Sequence, residues 1–240
     1  MLKNYNISIP FFEFGPKAYL YGDKLLKLVK EIDAAAREFE IDVIIDPQTV
    51  DIRLIRENTS GRIRVYAQHM DSIPVGRGMG EALAEALKEA GAEGVMLNHA
   101  ERKLSLKEIE KSIKRADEAG LATMVCGDTM DELREIAYME PNIIVAEPTE
   151  LIGTGKAAGK EYVDVCLNLI KGINPEILVL PSAGISSGQD CYNIIHMGAE
   201  ATGCSSALAK ASDGGRLARE MISSVRKAYD DFNKNKRRTD

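Results

Sequence analysis

The sequence predicts a closed (β/α)8 barrel, and three observations carry that reading. Short, branched apolar runs alternate eight times with amphipathic helical stretches, and strict alternation demands parallel strands joined by right-handed crossovers. Eight such units in 240 residues match the usual size of a closed barrel. Candidate polar residues also stand at the carboxyl ends of five different strands, and one mouth that collects many strand ends is what a barrel provides. The alternative architecture is an open doubly wound sheet. No linker or low-complexity stretch divides the chain, so residues 1–240 are expected to form one barrel domain.

The first strand is expected from Ile7 to Phe12, with Glu13-Phe-Gly15-Pro16-Lys17 as the loop after it. Leu25, Leu28, Val29 and Ile32 then repeat at helical spacing, which predicts a helix from Asp23 to Phe39. Asp42 to Ile45 is the second strand, broken by Asp46-Pro47, and Val50 to Arg56 reads as a short helix. Ile63 to Ala67 is the third strand. A polar, glycine-rich loop from Gln68 to Gly80 follows, then a helix to Ala90. Gly94 to Leu97 is the fourth strand. Ser105 and Glu108, and again Thr129 and Glu132, stand three apart before apolar periodic runs, the spacing of a reciprocal helix cap. Leu121 to Cys126 is the fifth strand between those two helices. Asn142 to Ala146 is a short, non-alternating apolar run, read as a fully buried sixth strand. A helix from Gly159 to Lys171 precedes a seventh strand, Ile177 to Leu180, and a further helix ends at Met197. A weak eighth strand spans Ala199 to Ser205, and Leu217 to Phe232 is the last helix. The basic tail from residue 233 is expected to fray in solvent.

Charge and composition exclude several function classes. Net charge is −6 with both signs interspersed, which argues against broad nucleic-acid binding. No apolar run approaches the length of a bilayer span. The N-terminus lacks a charged-then-apolar signal pattern, so a cytoplasmic location is expected. Cys126, Cys166, Cys191 and Cys204 show no metal-like spacing and read as reduced, packed thiols. No metal or cofactor is expected.

Five features occupy strand ends: Lys17, His99, Glu147, the Ser182-Ala-Gly184-Ile185-Ser186 turn, and Ser205-Ser206. Glu147 follows a buried strand, where α/β folds place their ligands. Pro148 fixes the direction of the chain leaving it, and Gly153-Thr-Gly155 supplies a flexible exit. Singly each feature is ordinary: a solvated Glu in a loop, a surface Lys, a satisfied polar His. Their joint placement at one barrel face makes them candidates for a site.

Five segments carry a resemblance: Tyr66-Ala67-Gln68-His69, Leu97-Asn98-His99-Ala100-Glu101, Thr123-Met-Val-Cys126, Val145-Ala-Glu147-Pro148 with its later Gly153-Thr-Gly155, and Ala183-Gly184-Ile185-Ser186-Ser-Gly188. Together they resemble the triosephosphate isomerase family, most closely its short archaeal-type members, over roughly residues 41 to 211. That resemblance implies a cofactor-independent aldose–ketose isomerase of a small sugar phosphate in glycolysis and gluconeogenesis, working as a homodimer or homotetramer. It implies Glu147 as the catalytic base and His99 as the electrophile, the family's known pairing of a carboxylate with a neutral imidazole. It implies a closing lid from Pro148 to Lys156. Gly153, Gly155, Gly184, Ile185, Ser205 and Ser206 fall at its phosphate-binding positions, and Glu101 at a carboxylate that pairs with the active-site lysine.

Three departures stand out. The family places Asn-x-Lys after its first strand. Here Glu13 stands where Asn is expected, two extra residues precede Lys17, and an ionised Glu13 would repel a dianion unless Arg102 or Lys17 pairs with it or it points away. Met79 replaces a Thr on a loop that inserts into a neighbouring subunit, and Ser205-Ser206 replaces paired glycines. The first departure motivates two alternatives: an isomerase of another small sugar phosphate such as a tetrulose phosphate, and a phosphate-binding barrel without catalysis.

Overall fold

Pro10 has no N–H to give a neighbouring strand, so pairing begins one residue later. In the computed structural model β1 is Phe11–Phe14, not Ile7 to Phe12. Its four residues pair in parallel with β2 (Asp42–Ile45) on one side and β8 (Ala201–Cys204) on the other. Glu13 and Phe14, expected in a loop, are therefore strand residues held by two neighbours. The structure describes residues 1–239 apart from Gly153, Lys156, Ala158 and Ala183, with the backbone alone for residues 237–239.

The remaining strands are β3 (Ile63–Ala67), β4 (Gly94–Leu97), β5 (Ala122–Gly127), β6 (Ile143–Ala146) and β7 (Leu178–Pro181). All are parallel, in the order β7-β6-β5-β4-β3-β2-β1-β8. The seam between β7 and β8 is bridged by Thr202 Oγ1 donating to Pro181 O at 3.0 Å and Val179 N donating to the Glu200 carboxylate at 2.8 Å. Eight parallel strands thus form a nearly closed barrel. The helices between them are α1 (Gly22–Phe39), α2 (Ile52–Glu57), α3 (Ala84–Glu89), α4 (Leu106–Ala119), α5 (Met130–Tyr138), α6 (Lys160–Ile173), α7 (Gly188–His196), α8 (Ser206–Ala209) and α9 (Gly214–Thr239). Helix α9 continues to Thr239, through the stretch from 233 where the sequence predicts fraying. Among the described residues no helix is long and apolar enough to cross a membrane.

Two apolar layers follow from the two-residue period of the strands. Phe12, Phe14, Val43, Ile45 and Val65 face outward and pack with the inner stripes of the helices, Val29 and Ile32 of α1 among them. Phe11, Ile44, Tyr66, Met124 and Leu180 fill the barrel interior. Glu13 stands two residues beyond Phe11 on the same strand, so its side chain also turns inward.

The expected reciprocal caps are only half formed. Ser105 Oγ accepts from Glu108 N at 3.2 Å, and Thr129 Oγ1 accepts from Glu132 N at 3.2 Å. Glu108 instead takes a hydrogen bond from the Ser72 hydroxyl, and Glu132 takes one from Asn98 Nδ2 at 2.8 Å. A tertiary partner takes up the Glu108 carboxylate, while Glu132 keeps its other oxygen at its own helix end, accepting from Asp128 N at 2.8 Å, one residue before the cap. A full capping box forms at α7, between Ser187 and Asp190.

Candidate active site

The carboxyl ends of the strands surround a cavity of about 1050 Å3. Glu13, Lys17, His99, Glu101, Glu147, Gly155, Gly184, Ile185, Ser205 and Ser206 all line it. Gly153 and Lys156 lie outside the described residues.

His99 and Glu147 face each other at the ends of β4 and β6, with Nε2 and Oε2 3.9 Å apart. That gap is too long for a hydrogen bond, so both atoms stay open to a ligand. The Glu101 N–H donates to His99 Nδ1 at 3.1 Å. A backbone donor at Nδ1 places the imidazole's own proton on Nε2, toward the cavity. Burial lowers the His99 pKa below its ordinary value, and the Lys17 charge adds to that. The ring is therefore neutral, and its proximity to Glu147 is not an ion pair. Burial raises the Glu147 pKa, the direction that makes a carboxylate a better base near neutrality.

Asn98 positions His99. It is buried, sits at φ +58°, and uses all of its amide group. Nδ2 donates to Cys126 O at 2.9 Å and to Glu132 Oε1 at 2.8 Å, while Oδ1 accepts from Leu104 N at 2.9 Å. An asparagine tolerates this left-handed backbone better than most residues, and the bonds hold it there.

Lys17 also has positive φ, +48°. Gln48 Nε2 and Gln68 Nε2 both donate to its carbonyl, at 3.0 and 3.1 Å, and Gln68 Nε2 reaches Asp46 O at 2.7 Å. Two side-chain amides from the loops after β2 and β3 thus clamp a residue of positive φ. The ammonium pairs with Glu101 at 2.8 Å, and that pairing lowers the Glu101 pKa. On the lid side, Asp128 Oδ1 accepts from Thr149 N at 2.9 Å, tying the start of the 148–156 segment to the end of β5.

Glu13 does not pair with Arg102 or Lys17, and it does not point away. Its carboxyl shares the bottom of the cavity with that of Asp46: Glu13 Oε1 stands 2.9 Å, and Asp46 Oδ2 3.9 Å, from where a Cβ on Gly15 would lie. Neither Asp46 side-chain oxygen receives a hydrogen bond from the described residues. Burial, then the neighbouring Asp46, push the Glu13 pKa well up, and burial raises Asp46 to about 7. The raised Glu13 pKa acts against the repulsion expected from an ionised Glu13. Sequence reasoning gave no role to Asp46, Gln48 or Asn98. Asp46 and Gln48 flank Pro47 and read as turn residues, while Asn98 sits beside the more conspicuous His99.

A family model described as triosephosphate isomerase matches residues 15–213. The chain belongs to the triosephosphate isomerase family. Among curated members, the triosephosphate isomerase of Sulfurisphaera tokodaii is 36% identical over 227 residues, covering 92% of this chain and 97% of that protein. That of Methanocaldococcus jannaschii is 37% identical over 204 residues, covering 84% and 92%. The crystal structure of triosephosphate isomerase from Bartonella henselae superposes with a TM-score of 0.72 at 18% identity over 92% of this chain and all of that one, a likeness of fold.

Membership in the triosephosphate isomerase family clarifies the first loop. With β1 running to Phe14, Gly15 is the first residue beyond the strand, and the family match begins there. Counted back from Lys17, the Asn of Asn-x-Lys falls on Gly15, with no inserted residues. The two-residue insertion expected from the sequence is withdrawn. Strand pairing, not loop length, accounts for Glu13-Phe14.

Proposed function

We propose that this chain interconverts dihydroxyacetone phosphate and glyceraldehyde 3-phosphate through an enediolate. Its curated relatives carry the name triosephosphate isomerase. The observation that carries the mechanism is the facing pair, an open carboxylate of raised pKa 3.9 Å from an imidazole N–H. Glu147 takes a proton from the carbon beside the carbonyl and returns it to the neighbouring carbon. His99, neutral, donates Nε2–H to the carbonyl oxygen as negative charge develops there. Lys17 places a positive charge on the same oxygens and on the phosphate, while Glu101 and the two glutamines hold it in position. Backbone amides of Gly153, Gly155, Gly184, Ile185, Ser205 and Ser206 receive the phosphate. The lid from Pro148 to Lys156 closes over it, excluding water and holding the enediolate against phosphate loss.

The chain acts as one barrel domain in the cytoplasm and requires no cofactor. It works as a homodimer or homotetramer, joined through the loop after β3, where Val75 and Met79 stand exposed. Light scattering on the purified chain reads that assembly directly; a monomer at working concentration would refute it.

Aldehyde formation from dihydroxyacetone phosphate, followed with a coupled reductase, tests the activity. Turnover of the triose well above that of a tetrulose phosphate is expected. Equal or reversed preference would overturn the substrate, and absence of turnover the reaction.

A further inference from the structure

The bottom of the cavity contains a feature that the reaction above does not use. Glu13 and Gly15 lie two apart at the end of β1 and so face the same way, into the barrel. Glu13 Oε1 lies 2.9 Å from where a Cβ on Gly15 would stand, and Oε2 would collide with a Cβ on Gly203 of β8. Gly15, just past β1, and Gly203 on the neighbouring β8 thus form a slot that the Glu13 carboxyl fills. Asp46, just past β2, closes the third side, its Oδ2 3.9 Å from the same Gly15 Cβ position and its side-chain oxygens without a partner among the described residues. Glu13 is 6% exposed, and Glu13 and Asp46 both line the cavity.

The slot is too costly to be a spacer. Two carboxyls buried together repel when both ionise, and an apolar side chain of similar size would fill the slot without that penalty. Lys17 is engaged by Glu101. Glu147 on β6 and the thiols of Cys126 on β5 and Cys204 on β8 also face the pair and offer no cation. Protons on the carboxyls are the remaining way to lower that repulsion. A carboxyl that keeps a proton can both give and take a hydrogen bond. The oxygens of an aldose–ketose pair need that, because each alternates between carbonyl and hydroxyl.

We propose that the Glu13–Asp46 acid pair is a further substrate contact in which each carboxyl carries a proton, Asp46 giving its own in a hydrogen bond to Glu13 and Glu13 giving its own to a reacting oxygen of the sugar phosphate from the floor of the cavity. This rests on the isomerase reading above. The pair donates hydrogen bonds only; Glu147 moves the carbon-bound proton.

The test compares the full chain with Glu13→Leu and Glu13→Gln. Glu13→Leu keeps the bulk and loses the donor; kcat falls on the order of 10²-fold, more than KM changes. Glu13→Gln replaces one donor by another and stays within about tenfold of the parent, and it guards against a folding failure of the leucine variant. Infrared difference spectra give a readout independent of turnover. The parent shows a protonated-carboxyl band that is lost in Glu13→Gln and that shifts when dihydroxyacetone phosphate is added, but not with inorganic phosphate alone. A band indifferent to dihydroxyacetone phosphate, or a folded Glu13→Leu as active as the parent, overturns the proposal. A parent that shows the shift but no turnover overturns the isomerase reading and leaves the contact standing.

Discussion

His99 Nε2 and Glu147 Oε2 face each other across 3.9 Å at the ends of β4 and β6, each without a bond to the other. An imidazole N–H and a carboxylate of raised pKa held side by side, so that one substrate carbonyl group can meet both, is an arrangement for enolisation. The base must be ionised, so kcat/KM falls as pH drops through the Glu147 pKa, and that limb lies above the ordinary carboxylate value of 4.5. His99→Gln is expected to lower kcat by roughly 10²- to 10⁴-fold while leaving the acid limb in place. A limb that moved or vanished in the His99 variant would assign it to the imidazole instead.

Asn98 fixes the backbone that presents His99. Asn98→Ala removes bonds to Cys126 O, Glu132 and Leu104 N and leaves buried groups without partners. A loss of about 2–3 kcal/mol in unfolding free energy is expected, together with a kcat loss that His99→Gln does not compound. Denaturant titration and the double variant measure both. Additive kcat effects would show that Asn98 does not act through His99.

The acid pair makes stability depend on pH in a stated direction. Glu13 and Asp46 have folded pKa values above their unfolded ones, with Asp46 at about 7. Between the unfolded and folded values the native state holds more protons than the unfolded chain. The contribution is therefore complete below about pH 4 and is lost as pH rises through about 7. The stability difference between Glu13→Gln and the parent should grow in favour of the variant over that interval. A difference that stays flat from pH 5 to 8 would show that the pair carries no protons.

Lys17 lies at the meeting of the first loop and the two glutamines. Gln68→Ala removes one clamp on its carbonyl and one on Asp46 O. Loss of this positioning is expected to cost about 10²-fold in kcat/KM through misplacement of the charge. Gln68→Glu, which keeps the size but replaces the amide donors, should not rescue. Rescue by Glu would show that bulk alone matters.

The barrel was legible from eight apolar runs alternating with helical periods, and so was the placing of Glu147 just past a short buried strand. Boundaries near Pro10 and Glu13 were not, because pairing with β2 and β8 decides where β1 ends and no local preference records it. Asp46 was illegible for a related reason. Its neighbour Glu13 is thirty-three residues away in the chain, and only closure of the barrel brings the two carboxyls together. The half-formed caps at Ser105 and Thr129 show the same limit, since the competing partners Ser72 and Asn98 come from other strand ends.

Deuterium wash-in at the substrate carbon tests the central claim most directly. Dihydroxyacetone phosphate is incubated in heavy water with the full chain or with Glu147→Gln, and the label is read by proton NMR. The parent should exchange the hydrogen beside the carbonyl during turnover, and Glu147→Gln, correctly folded, should leave it in place. Exchange by Glu147→Gln at the parent's rate would contradict the assignment of Glu147 as the base.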